Sequence, residues 1–327
     1  MNDPLIVARA VHFAATLSVA GAAFFQVFIA APALRAGGGR SALAAIVRRQ
    51  LAYIAWIALP LCAISGAAWL VITAQSMSGV GLSDVFSEDV LGTVLLQTGF
   101  GQDWIARFVL LVLLAGMLFL LLSPRQTKPA WLNVVVVALT AGLTGSLAWA
   151  GHAVGAEGLE GIVHPAADFV HLVAAAAWVG TLLPLALLLA AAGHDATSLT
   201  IARIATMRFS TIGVGSVALL MITGSINTWY LAGSIPALTE TDYGRLLLLK
   251  IALFLVMVAV AAFNRLHLTP RLVHDADGST TIDALRRLRR NASLEVAIGA
   301  IIIAVVAALG TNPPGFEAII HAHHVHE

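Results

Sequence analysis

The run "HPAADFVHLVAAAAWVG", His164 to Gly180, carries three side chains able to ligate a metal or move a proton: His164, Asp168 and His171. Their spacing of i, i+4 and i+7 returns to nearly the same angle on a helix of 3.6 residues per turn, so they share one face. Imidazole and carboxylate are ligands for Cu(II), Zn and related metals, and a carboxylate beside an imidazole can also fix the tautomer of a ligand histidine. The opposing interpretation is a set of interfacial polar groups, with Asp168 ion-paired to Arg107 or Lys250. Three such residues on one face of an otherwise apolar helix are an expensive packing solution, which favours a site.

Other ligand-type residues lie nearby in sequence or by symmetry. "WAGHAVG" sets His152 at the end of the preceding apolar run. The tail "HAHHVHE" holds His321, His323, His324 and His326, and short His-rich tracts bind divalent metals through neutral imidazoles. His12 lies in the first apolar run. His194, His267 and His274 fall on connections and read as solvated residues. The single cysteine, Cys62, reads as a small apolar packing residue. The methionines do not cluster at a spacing suited to a Cu(I) relay.

The elements that must position these groups are membrane helices. The 327 residues are 59% hydrophobic and 11% charged and have a mean hydropathy of +0.92, against roughly 25% charged in an ordinary soluble domain. A spanning helix needs about 20 mostly apolar residues. Eight such runs fit, over 5–33, 50–74, 104–123, 131–150, 166–192, 211–232, 246–264 and 293–311. The expected fold is all-α, a polytopic protein of eight transmembrane helices in contact with the lipid bilayer. The first run lacks a charged leader or cleavage site ahead of it and reads as a retained span. Arg35, Arg40, Arg48, Arg49, Arg125, Lys128, Arg203, Arg208, Arg265, Arg271, Arg286, Arg287, Arg289 and Arg290 are fourteen of the eighteen basic residues, and all fall on alternate connections. By the positive-inside rule those connections are cytoplasmic, and both termini are expected outside. The opposite connections carry acids: Asp84, Glu88, Asp89, Asp103, Glu157 and Glu160.

An internal repeat organises the chain. His12 to Gly21 matches His171 to Gly180, Gly66 matches Gly224, and Gly101 with Arg107 matches Gly244 with Lys250. The expectation is two parallel four-helix repeats, 1–150 and 151–312, followed by a His-rich tail, 313–327. The pairing places His12 and His171 in one layer, roughly 10 Å from the outer surface at 1.5 Å rise per residue. Arg107 and Lys250, with Arg9 and Arg245 nearby, form a second set of ionisable groups that should face the bundle interior or a water-filled vestibule. Trp69, Trp178, Asn227 and Tyr243 sit where they could line that vestibule. No GxxxxGK[ST], GxSxG or CxxC motif is present. ATP-driven pumping, serine hydrolysis and thiol redox chemistry therefore have no residues to rest on. A net charge of +1 offers nothing to nucleic acid.

"GHA", "DFVHLVAAAAWVG", "YGRLLLLKIALF", "FNRLHLTPRL" and the closing "NPPG" resemble the copper-resistance protein D family of bacterial inner-membrane proteins, over essentially the whole chain. The resemblance implies copper homeostasis without enzymatic chemistry. It also implies movement of copper across the inner membrane beside a periplasmic copper-binding partner of the resistance-protein C type. Its pattern falls on His152, Asp168, His171, Trp178, Gly180, Tyr243, Gly244 and Lys250. Each half is also similar to HemJ-type four-helix membrane proteins. That likeness implies a different function, a haem b-binding membrane oxidoreductase, with His12 and His171 as axial ligands and Arg9, Arg107, Arg245 and Lys250 meeting propionates or a quinone.

Overall fold

The computed structural model describes residues 3–39, 41–87, 89–123, 128–150, 158–272 and 279–315. His152 and the tail histidines His321, His323, His324 and His326 lie outside the described residues. Eight helices among those described are long and apolar enough to cross a membrane: α1 (Pro4–Ala36), α2 (Ala42–Ser78), α3 (Gly99–Leu122), α4 (Ala130–Ala150), α5 (Glu160–Ala191), α6 (Ala196–Ala232), α7 (Asp242–Leu272) and α8 (Thr281–Leu309). Several outrun their apolar cores. α2 and α6 have 37 residues each, about 55 Å at 1.5 Å per residue, against a hydrocarbon layer of about 30 Å. Their extra turns carry Arg48, Arg49, Arg203 and Arg208 and begin at capping residues that hydropathy does not register. Ser41 Oγ accepts from the Ala44 amide at 3.1 Å and Asp195 Oδ1 from the Ser198 amide at 2.9 Å. The Ser198 hydroxyl and backbone N–H also hold the exposed Asp195 carboxyl below the usual carboxylate range.

Local devices recur between the halves. Thr98 caps α3 by accepting from the Gly101 amide, and Thr241 caps α7 by accepting from the Gly244 amide, both at 3.0 Å. Each is preceded by a short helix in the loop, Val90–Gln97 or Ile235–Glu240. Gly101 and Gly244 are required there, because a Cβ on either would overlap the backbone of that short helix. α2 and α6 both end on a left-handed glycine, Gly79 at φ 70° and Gly233 at φ 65°, the conformation glycine adopts without steric penalty.

α1 and α5 form the centre, each packing on helices of both halves. The apolar window of α1 is 61% buried against protein and that of α5 56%, whereas α7 is only 11% buried and faces lipid. The two central helices meet at Gly21 and Gly180. A Cβ on Gly180 would lie 2.5 Å from the Leu17 carbonyl oxygen, and one on Gly21 would overlap the Gly180 backbone. Small residues at such crossings let backbones approach closely, which drives association where lipid gives no hydrophobic force between helices. Below the crossing, Phe25, Ile29, Leu188 and Ile201 close a core shared by both halves; above it the helices part around a cavity.

Substitution Gly180→Ala is expected to destabilise the protein by about 1–3 kcal/mol through overpacking against backbone, read by thermal unfolding in detergent. Gly215→Ala, on α6 with nothing within 4 Å of the new methyl, should be neutral or stabilising.

Candidate functional site

The cavity above the crossing measures about 220 Å³ and is lined by Arg9, Trp69, His164, Asp168, His171, Asn227, Tyr243 and Lys250, among others. α5 supplies His164, Asp168 and His171 from its first three turns, as the shared helical face requires. The His171 Nδ1 lies 3.0 Å from Thr223 Oγ1. Thr223 donates its own hydroxyl to the Leu219 carbonyl at 2.7 Å, so its oxygen accepts and His171 carries its proton on Nδ1. That leaves the Nε2 lone pair with no partner among the described residues. Asp168 Oδ1 accepts from Asn227 Nδ2 at 3.0 Å, while the other amide atom, Asn227 Oδ1, is buried without a partner. Lys250 bears electrostatically on both Asp168 and His171. His164 stacks on Tyr230 with ring centroids 5.2 Å apart. An imidazole and a carboxylate thus line one space, with the orphan amide oxygen of Asn227 buried beside them, and these groups suit a divalent or borderline transition metal. Among the described residues no three His, Cys, Asp or Glu already stand close enough to hold an ion together. Four residues of helical rise, about 6 Å, separate His164 from Asp168, and the stacking on Tyr230 keeps the His164 ring from swinging down. A second, more apolar cavity of about 610 Å³ reaches His171 and Lys250 from between α6 and α7.

His12 is placed differently from its counterpart. It does not line the cavity, and it is 2% exposed. Arg107 Nη2 lies 2.7 Å from His12 Nε2. Guanidinium only donates, so Nε2 accepts, and the proton sits on Nδ1, which donates to the Cys62 carbonyl at 3.0 Å. Both ring nitrogens are therefore engaged. Trp69 and Trp104 enclose the ring at 5.7 and 5.2 Å between centroids. Arg107 also donates to Ser146 Oγ at 3.0 Å and lies 4.9 Å from the Trp104 ring, with no ion pair among the described residues. The arrangement holds a buried cation with neutral acceptors and an aromatic face.

The remaining expectations divide. Arg9 reaches the cavity over the Trp69 ring, 4.4 Å from its centroid, and presses against Gly310. Trp178, 1% exposed, lies below the main cavity and packs edge-on against Phe254. Arg245 departs from the intramembrane role expected of it. Its side chain is 65% exposed and pairs with Asp242 at 3.4 Å, because the five residues to Lys250 rotate it about 140° away. Such an exposed pair contributes little. Sequence reasoning missed Trp104 and Ser146, whose partners are distant in the chain. It also missed Glu295, a lone acid inside an apolar run.

His12→Ala would strand the buried Arg107 donor and is expected to cost about 1–3 kcal/mol more than His171→Ala in thermal unfolding. Both changes remove the same side-chain volume, so the difference reports the Arg107 hydrogen bond.

Comparison with known proteins agrees with this architecture. Residues 202–309 match the copper resistance protein D family and residues 1–162 match the copper resistance protein D-like N-terminal domain. The chain is 32% identical to Inner membrane protein YebZ of Escherichia coli, over 94% of this chain and 98% of that protein. It is 30% identical to Copper resistance protein D of Pseudomonas syringae pv. tomato, over 97% of this chain and 99% of that protein. With Copper transport protein CutJ of Bacillus subtilis it shares 29% identity over 60% of this chain and 36% of that one. With eight apolar helices and whole-length similarity to two such relatives, this chain belongs to the copper resistance protein D family of multi-pass membrane proteins.

Proposed function

We propose that the protein takes up copper ions as cargo in the cavity between its halves and moves them across the bacterial inner membrane. The observation that carries this reading is His171, whose Nδ1 is held by Thr223 and whose Nε2 has no hydrogen-bond partner among the described residues, lining one cavity with Asp168, His164 and Asn227. The names of the relatives, copper resistance protein D and copper transport protein, supply the metal. Thr223 fixes the His171 tautomer and so holds the ligand nitrogen toward the cavity. Asp168 supplies the charge that admits a cation beside Arg9 and Lys250. In this reading the Lys250 ammonium and the ion compete for Asp168, so an arriving copper displaces the lysine's charge and a departing one restores it. The cavity, both termini and the His-rich tail are periplasmic in this reading, supported by the basic residues on the alternate connections. His152 and His321, His323, His324 and His326 would collect the ion there, or receive it from a periplasmic copper-binding partner of the resistance-protein C type. No chemical conversion of a substrate is part of this function.

A haem b reading shares the same layer but asks His12 for an axial nitrogen that its hydrogen bond from Arg107 occupies. The geometry therefore favours copper.

Purified full-length protein should bind copper and lose the equivalent held in the cavity, though not that held by the tail histidines, on His171→Ala or Asp168→Asn, with matching loss of copper handling in cells. Thr223→Val, which frees the His171 tautomer, should weaken binding by about 10–100-fold. Unchanged copper content in the His171 and Asp168 variants would overturn the assignment. So would a Soret band that vanishes with His171→Ala, which would establish haem instead.

A further inference from the structure

The opposite half of the bundle holds a carboxyl group that the cavity does not use. Glu295, on α8, is 1% exposed. Its Oε1 accepts from Asn264 Nδ2 at 2.9 Å, and Asn264 Oδ1 accepts in turn from Asn291 Nδ2 at 2.6 Å. Oε2 is buried with no partner among the described residues. It belongs to the wall of a separate cavity of about 280 Å³ at the basic end of the bundle. Four helices pack around that space. α5 and α6 contribute mainly apolar walls with Ser210, α7 contributes Asn264 and Arg265, and α8 contributes Ala292 beside Glu295. The charged or titratable side chains lining it are Glu295 and Arg265 alone, among the described residues. Arg265 is exposed and donates to Ser210 Oγ at 2.8 Å, so it stands at the mouth toward the basic loops rather than against the carboxyl.

A carboxylate in a low-dielectric interior needs a counter-charge, several strong donors or a proton. Glu295 has one neutral amide donor and no ion pair among the described residues. A metal ion would need several ligands, and no three His, Cys, Asp or Glu gather there among the described residues. A proton needs only the free oxygen. The relay leads to a special piece of backbone: Asn264 opens a π-helical turn, Asn264–Leu268, and its carbonyl accepts from both the Thr269 amide at 2.8 Å and the Thr269 hydroxyl at 3.0 Å. Such turns widen the helix locally and are frequent at functional sites.

We propose that Glu295 is a proton-binding site in the basic-end half of the membrane, exchanging with solvent through the cavity beneath Arg265, and that Asn264 relays its protonation to the π turn of α7. Oε2 takes the proton from water when the site loads and returns it when the site empties; no other bond changes. In the empty state Asn264 and Asn291 are the donors able to reorient toward the carboxylate. α7 also carries Lys250, so one helix joins this site to the upper cavity. Any coupling to copper rests on the function proposed above, but the proton site does not.

The test is pH-difference infrared spectroscopy on full-length protein in detergent without copper, comparing the native chain with Glu295→Gln and Glu295→Asp. The native protein should show a protonated-carboxyl C=O band that shifts in D₂O and disappears at alkaline pH. That band should be absent from Glu295→Gln and return, displaced, in Glu295→Asp. Amide hydrogen exchange over 264–269 should change with pH in the native protein and become pH-independent in Glu295→Gln. Identical carboxyl spectra for the native and Gln forms would overturn the proposal, as would a Glu295 signal that stays fully ionised at every pH. Should Glu295→Gln fail to fold, the Asp form decides the matter by whether its displaced band titrates. Copper plays no part in these measurements, so they remain readable if the copper function fails.

Discussion

The backbone contact between Gly21 and Gly180 is the constraint from which the rest of the structure follows. It brings α1 and α5 close enough that neither can carry a side chain at the crossing. Below it, apolar side chains from both halves seal a common core. Above it the helices diverge, and the space between them becomes the cavity. His12 and His171 each lie nine residues ahead of the crossing glycine, so the same geometry sets both at one level.

From that common level the two histidines take different roles, and one cation in each half decides which. Arg107 can donate from several nitrogens in a fixed fork, and it uses two to hold His12 and Ser146. Lys250 is a flexible point charge with no hydrogen bond to His171 among the described residues, so the Nε2 of His171 stays open to the cavity. Around His12 both ring nitrogens are thus occupied, with Trp69 and Trp104 closing the space. The other half keeps an imidazole and a carboxylate along a void, with an orphan amide oxygen buried beside them. Unsatisfied groups in a membrane interior are costly, and the open imidazole nitrogen beside a carboxylate is the feature on which the proposed function rests.

Much of this was legible in the sequence. Eight spans follow from apolar content, because hydrocarbon demands about 20 apolar residues per crossing. The common face of His164, Asp168 and His171 follows from helical period. Helix ends were less legible: α2 and α6 start 8 and 15 residues before their apolar runs, because a helix continues through the polar interface until a cap such as Ser41 or Asp195 ends it. Hydropathy measures solvent, not hydrogen bonding. The engagement of His12 by Arg107 could not be read, since the partners are 95 residues apart and their meeting depends on how α3 packs. Two features carried a signal that sequence reasoning passed over. Arg245 stands five residues from Lys250 and so on another face of the helix. Glu295 stands alone in "SLEVAIGAIIIAVV", where any ionisable residue calls for a role.

The proposed function puts copper on imidazole and carboxylate groups of α5, with His12 excluded by its hydrogen bond from Arg107. X-ray absorption at the copper edge, on copper-loaded full-length protein, examines those ligands directly. Nitrogen and oxygen neighbours with imidazole ring scattering are expected, with the imidazole contribution reduced by His171→Ala and unchanged by His12→Gln. Sulfur neighbours, pointing to Cys62 or a methionine, or imidazole scattering indifferent to His171, would contradict it.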